Sequence, residues 1–347
     1  MDKFSPIPHQ YCSNLFLEQI NHYIYNGCKK DFDNYKILVI GIGLGSDIIN
    51  MGYFKKKYKN IKLLGIDLSS TSINICKERI GKYNLDNIEL IKMSLFDLDP
   101  KTHGKFDLII CIGVLHHLEN PTDGLNILYN VLEDDGFMSI MVYGKYGRTG
   151  IYQMQDLMKK INLNINDNPN KINNFKNIYK QLPENNWFKK GEHLISDHNV
   201  SDEGIVDSIL HCQDICYSIP ELYDWVRVCQ CDLDIIEFTP DTRFNYNHTI
   251  TDFDYPNNLV DKYAINELFF GDIIKHSFYI RKKTNTNTNT NTNTNTNTNT
   301  IAKIDNLNNI LILVLISKEA LDKILQYYIT NKCENLNVNC NLTYFYI

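Results

Sequence analysis

From residue 36 to 143 short apolar, β-rich runs alternate with stretches whose apolar positions recur every three to four residues, the pattern of parallel strands joined by helices. Lys36 to Ile40 predicts a first strand, entering Gly41-Ile-Gly-Leu-Gly45. Ser46 and Asp47 can then cap a helix that carries Ile48, Met51, Phe54 and Tyr58 on one face. Lys62 to Ile66 reads as a second strand ending at Asp67. Ser69 and Ser70 open a helix with Ile73, Cys76 and Ile80 at helical spacing and Gly81 as its stop. Ile88 to Lys92 is the third strand and Phe106 to Cys111 the fourth. Leu125, Leu128 and Leu132 mark the next helix, and Gly136 introduces a fifth strand, Phe137 to Tyr143.

Beyond residue 145 the periodicity loosens into an Asn- and Lys-rich segment, and 145–218 is expected to form a helical insert over the substrate. Regular structure resumes at Ile219-Pro220-Glu221, where proline in the first turn starts a helix through Gln230. Leu233 to Thr239 and His276 to Arg281 complete seven strands. The expected fold class is α/β, a seven-stranded, mostly parallel sheet with helices on both faces and a helical insert after strand five. Residues 1–29 are expected to be a helical extension, and 30–283 the main domain. The Thr-Asn alternation from Thr284 to Thr300 has no apolar group to offset the entropy of ordering and is expected to be disordered. In the tail, 301–347, residues Ile304, Leu307, Leu311, Val314, Leu321, Leu325 and Tyr328 fall on a heptad frame. A docking or self-associating helix over 304–328 and an apolar tail without a partner are both compatible with that frame.

Charge and composition narrow the function classes. With 35 Lys+Arg against 41 Asp+Glu in 347 residues, the net charge of -6 disfavours a nucleic-acid binder, whose affinity rests on phosphate neutralisation. The longest apolar run, Ile310 to Ile316, is far short of the roughly 20 residues a membrane helix needs. The N-terminal residues lack the apolar core of a secretory signal, so a cytoplasmic location is expected, with the ten cysteines as reduced thiols. Cys212, Cys216, Cys229 and Cys231 with His211 could hold zinc, but their spacing departs from paired C-x2-C ligands, and no metal is assigned.

Candidate chemistry begins at Gly41-x-Gly43-x-Gly45, where a tight strand-to-helix turn would lay bare backbone against a ligand near the positive end of a helix. A dinucleotide fingerprint requires Gly or Ala at the place of Ser46, which disfavours a nicotinamide enzyme. Asp67, at the end of the second strand, can accept both hydroxyls of a ribose. Phe106-Asp-Leu-Ile-Ile-Cys-Ile-Gly-Val-Leu-His-His-Leu118, followed by a helix and Gly136-Phe-Met-Ser-Ile-Met-Val142, resembles the fourth and fifth strand motifs of class I S-adenosylmethionine-dependent methyltransferases, proteins with a Rossmann-like sheet.

That resemblance implies that Gly41, Gly43 and Gly45 receive the methionine part of S-adenosylmethionine, that Asp67 holds the ribose, and that Leu68 flanks the adenine. It places Ser94 and Leu95 beside the adenine amine and ring, and Cys111 and Gly113 beside the methionine and the reacting methyl. Val39 and Ser94 stand where the family often has acids, and Asp134-Asp135-Gly136 replaces a common Pro-Gly-Gly turn. A closer similarity is to bacterial-type methyltransferases with a Gly-Val-Leu-His-His stretch, a Tyr after strand five and a late His-x-x-Asp element; here these are Gly113 to His117, Tyr143 and His211-Cys-Gln-Asp214.

The acceptor-side candidates are therefore His116 and His117, which follow strand four at the sheet's C-terminal rim, together with His211 and Tyr143. The insert also supplies Trp187, His193, Asp197, His198, Asp207, Asp214 and Tyr217, and Asp207 with His211 would form an i, i+4 pair on a helix. The expected activity is methyl transfer from S-adenosylmethionine to a small-molecule acceptor. The alternative is a catalytically inactive binding protein of the same fold.

Overall fold

The computed structural model describes residues 20–25, 32–58, 60–195, 197–211, 213–229, 233–239 and 246–283. The expectations for the first 19 residues, the Thr-Asn tract, the heptad tail, Cys212 and Cys231 lie outside the described residues.

Alternation along the strands sorts side chains onto two faces. Leu38 and Ile40 of β1 (Lys36–Ile40) pack into one apolar core while Ile37 and Val39 pack into the other, and Ile109 and Cys111 of β4 (Phe106–Ile112) oppose Leu108 and Ile110 in the same way. Strands buried on both faces need continuous apolar runs and helices on either side, which is why these read as near-unbroken Ile/Leu/Val stretches. With β2 (Lys62–Asp67), β3 (Ile88–Lys92), β5 (Leu132–Gly144), β7 (Leu233–Phe238) and β8 (Lys275–Lys282) the sheet runs β3-β2-β1-β4-β5-β8-β7. Among the described residues only β8 is antiparallel to its neighbours. A two-residue β6 (Cys216–Tyr217), which the sequence did not predict, pairs in parallel with the end of β5.

Helix α1 (Ser46–Lys57) buries Ile48, Met51 and Phe54, but neither Ser46 nor Asp47 caps it: the N-cap is Gly45, left-handed at φ 88°. Ser69 does cap α2 (Ser70–Lys82), accepting from the Ser72 amide, and the helix ends one residue past Gly81. Strand β5 begins at Leu132 rather than after Gly136, because the pairing slips between Phe106 and Leu108 and takes up the acidic turn as an irregularity. Helix α3 (Pro121–Asn130) covers β4 and β5.

Between β5 and β6 the insert folds into α4 (Thr149–Ile161), α5 (Asn168–Tyr179) and three shorter helices, Trp187–Gly191, Asp197–Val200 and Asp202–Ser208. It has a core of its own, built from Ile151, Met154, Met158, Ile172, Phe175, Phe188, Ile195, Ile205 and Ile209. His198, a candidate substrate residue, is buried here with its Nε2 3.2 Å from Glu192, while Trp187 is exposed. Helix α6 (Ile219–Val228) opens on a Ser218–Glu221 capping box, and α7 (Leu259–Phe270) precedes β8. Among the described residues no helix is long and apolar enough to cross a membrane.

Glu192 supplies a stability test. Burial would raise its pKa, but hydrogen bonds from Asn199, Tyr179 and His198 outweigh that and hold it at about 2. A carboxylate depressed below its unfolded value, about 4.3, stabilises fully above that value and loses the contribution as pH falls through its folded pKa. Glu192→Gln is expected to destabilise the insert by about 1–2 kcal/mol at neutral pH, after allowance for partial solvent screening. The deficit should vanish near pH 2, read by hydrogen exchange of α5 amides; a deficit that persists at acid pH would refute the ionised pairing.

Candidate active site

The C-terminal ends of β1, β2, β4 and β5 meet at one rim. At the end of β1 the chain turns through Gly41 (φ 64°), Gly43 (φ 48°) and Gly45 (φ 88°). Two of these glycines are required by packing: a Cβ on Gly41 would lie 2.4 Å from Val114 Cγ2, and one on Gly45 would lie 2.8 Å from Cys76 Sγ. Gly43 differs, since a Cβ there would meet nothing closer than the Gly41 carbonyl at 4.0 Å. Bare backbone beside open space is what a ligand lying on this turn requires. The Gly41–Val114 contact also sets the glycine turn directly against the loop after β4.

Asp67 ties the turn to β2. Its Oδ2 accepts from the Gly43 amide at 2.9 Å and its Oδ1 from the Ser69 amide at 2.7 Å, which leaves each oxygen a further lone pair. Leu68 beside it is 70% exposed, an apolar surface next to the carboxylate. The other expected adenine contacts are placed differently. Leu95 is buried in the core, and the exposed apolar residue of that turn is Phe96, at 49%. The Ser94 hydroxyl caps the turn by accepting from Phe96 N, while Asp97 accepts from Ser94 N. Cys111 is fully buried, with its thiol pushed up to about 12 by burial, so only its backbone borders the rim. Gly113 turns at φ 76° and donates to Met141 O at 3.3 Å. Val39 is buried within β1.

At the end of β5, β6 brings a distant segment to the rim: Tyr143 pairs with Cys216 and Gly144 with Tyr217. The preceding residues then bind the β4 loop, Ile215 N donating to His116 O at 2.8 Å and Gln213 Nε2 to Leu118 O at 3.1 Å. His117, His211 and Asp214 are thereby gathered. His117 Nδ1 lies 2.8 Å and His211 Nδ1 3.3 Å from Asp214 Oδ1, and the two imidazole centroids are 4.1 Å apart. The helix carrying Asp207 ends at Ser208, so the expected i, i+4 pair with His211 does not form, and Asp214 takes its place.

His116 is not in that cluster's open part. It is fully buried, stacks on Tyr143 at 3.7 Å and has no hydrogen-bond partner among the described residues on either ring nitrogen. Burial, reinforced by neighbouring His117, pulls its pKa down to about 3, so it is neutral at physiological pH. Arg148, also buried, lies 3.5 Å over the Tyr143 ring. Gln155, buried in α4, donates to Asp214 Oδ2 at 2.8 Å and to Ser208 O at 3.0 Å. For Asp214 burial acts to raise the pKa, yet the His117 and Gln155 hydrogen bonds prevail and leave it lowered. Neither Arg148 nor Gln155 carries a sequence signal, since each acts only through contacts across the fold.

Comparison with known proteins agrees with this geometry. Residues 38–138 match a family described as a methyltransferase domain. An uncharacterized protein of Synechococcus sp. is 29% identical over 252 residues, covering 71% of this chain and 60% of that protein. An uncharacterized protein of Rickettsia prowazekii is 33% identical over 128 residues, 36% of this chain and 48% of that one. The chain thus spans about half to three-fifths of the length of these relatives. PKMT2 from Rickettsia typhi, solved in complex with AdoHcy, shares the fold with a TM-score of 0.60 at 21% identity, over 81% of this chain and 55% of that chain. The sheet order, the glycine turn and the β2 carboxylate, with the methyltransferase-domain match over 38–138, give the chain a Rossmann-like methyltransferase fold.

Proposed function

We propose that this protein transfers a methyl group from S-adenosylmethionine to a small-molecule acceptor held beside His117, His211 and Asp214. The observation that carries the reading is the Gly43–Asp67 hydrogen bond, which joins open backbone and a ribose-competent carboxylate on the rim that also carries the histidine cluster. S-adenosylmethionine supplies a methyl activated by its sulfonium. The chain's own task is then positioning and exclusion of water. Asp67 holds the ribose, the Gly43 backbone lies against the methionine part, and Leu68 and Phe96 offer apolar surface to the adenine. His117 and His211, 19% and 27% exposed, face the acceptor, while buried His116 and Tyr143 fix the loop that carries His117.

The acidic net charge and the part-shielded cluster favour a small acceptor over a nucleic acid. The reading as an inactive binding protein is supported by the Ser94 hydroxyl, already used as a cap, and by Val39, which removes an acid. Calorimetric titration with S-adenosylhomocysteine tests the first step: micromolar binding is expected, and no heat would overturn the enzyme reading. With methyl-labelled S-adenosylmethionine and a cell extract, label is expected in small molecules separated by chromatography. Label confined to protein would overturn the choice of acceptor, and label in neither fraction would favour the inactive reading.

A further inference from the structure

We propose that His117, His211 and Asp214 form a site for one divalent transition-metal ion at the acceptor end of the rim. Two of the donor separations match a shared ion: ligands about 2.1 Å from an ion lie about 3–3.4 Å apart at right or tetrahedral angles, against the 2.8 and 3.3 Å that separate the two Nδ1 atoms from Asp214 Oδ1. All three residues can place a ligand atom within 4.8 Å of the others.

A second observation concerns what those atoms lack. Asp214 has a side chain only 1% exposed, and among the described residues its Oδ1 meets no polar group other than the two imidazoles. The Gln213 amide donates to His211 Nδ1 at 3.2 Å, so that nitrogen presents a lone pair and no proton. That acceptor nitrogen and the carboxylate oxygen lie 3.3 Å apart with no proton of their own between them, an arrangement that a nearby cation relieves and that is otherwise costly for a buried carboxylate. An ion seated there would replace the long amide contact.

The surroundings are those of a metal ligand set. Asp214 Oδ2 is held by Gln155 Nε2 at 2.8 Å, and Gln155 is itself anchored on the Ser208 carbonyl, so the carboxylate is oriented by a buried amide. His117 and His211 remain partly exposed, which gives an ion entry. Two imidazoles and one carboxylate suit zinc or iron(II) and leave coordination positions open. Those positions lie on the acceptor side of the rim, where a ligated hydroxyl would release its proton to solvent more readily than a free one.

The test uses the full chain after chelator treatment, titrated with Co2+ and Zn2+ in the absence of S-adenosylmethionine. One equivalent per chain is expected, with a visible Co2+ absorption typical of nitrogen and oxygen ligands and no thiolate charge-transfer band. His211→Ala and Asp214→Asn are each expected to weaken uptake by about 100-fold or more, and Gln155→Leu by about 10- to 100-fold. S-adenosylhomocysteine binding, measured separately on the same variants, should be unchanged and reports that they fold. Absence of stoichiometric uptake, uptake indifferent to His211→Ala and Asp214→Asn, or a thiolate band from cysteine ligands would overturn the metal site. Because uptake is read without cofactor and cofactor binding without metal, failure of either leaves the other standing.

Discussion

Asp67→Ala is expected to weaken S-adenosylhomocysteine binding by about 100- to 1,000-fold. On the proposed reading each Asp67 oxygen, already holding one amide, accepts a ribose hydroxyl, and hydrogen bonds to an ionised acceptor contribute about 1.5–3 kcal/mol each. Two such bonds correspond to about 3–6 kcal/mol, or about two to four decades in affinity, and competition from water at the open rim keeps the expected loss in the lower half of that range. A further loss arises because Asp67 Oδ2 also holds the Gly43 amide, and without it the turn no longer presents a fixed backbone surface. Asp67→Asn should fall between, since its amide retains one acceptor oxygen. Calorimetry measures the affinities, and far-ultraviolet circular dichroism checks that both variants keep the fold. Affinity equal to that of the parent would show that the ribose is held elsewhere.

The largest stability effect is expected far from any ligand. Glu267 of α7 is fully buried; its Oε2 accepts from the Ile219 amide at 2.8 Å, and its Oε1 lies 3.3 Å from His276 Nε2. His276, equally buried in β8, donates from Nε2 to the Tyr217 carbonyl at 2.7 Å, so in its neutral form its Nδ1 accepts from the Tyr246 hydroxyl at 2.8 Å. One network thus joins α7, β8, β6 and the start of α6, the elements that hold the His211–Asp214 segment against the rim. Glu267→Ala removes one partner and strands the Ile219 amide in the core, at an expected cost of about 3–5 kcal/mol. Glu267→Gln, which keeps an acceptor for Ile219, should cost clearly less. Urea unfolding followed by tryptophan fluorescence gives both values, and a loss below about 1 kcal/mol for the alanine variant would show that the network is not a structural anchor.

Strand positions were readable because β1, β2 and β4 are buried on both faces, and that environment forces apolar runs with sharp polar ends. The glycine turn and Asp67 were readable for a related reason: each depends on residues adjacent to a strand end, where backbone geometry and side-chain type are coupled locally. Capping was less legible, since Ser46, Asp47 and Gly45 are all competent cap residues and the left-handed turn at Gly45 selected the glycine. Leu95 and Phe96 show the same limit, because two adjacent apolar residues leave open which one faces the core.

Residue order therefore settled the strands of the sheet and the place of the glycine turn and Asp67 at their ends, because those features follow from local periodicity and strand-end chemistry. The cluster of His117, His211 and Asp214 came from long-range pairing. His117 and Asp214 are almost a hundred positions apart, and they meet because β6 adds two residues to the end of β5 and Gln213 and Ile215 bond to the β4 loop. Gln155 and Arg148 acquire their places in the same way, through contacts between the insert and the rim that no periodicity encodes.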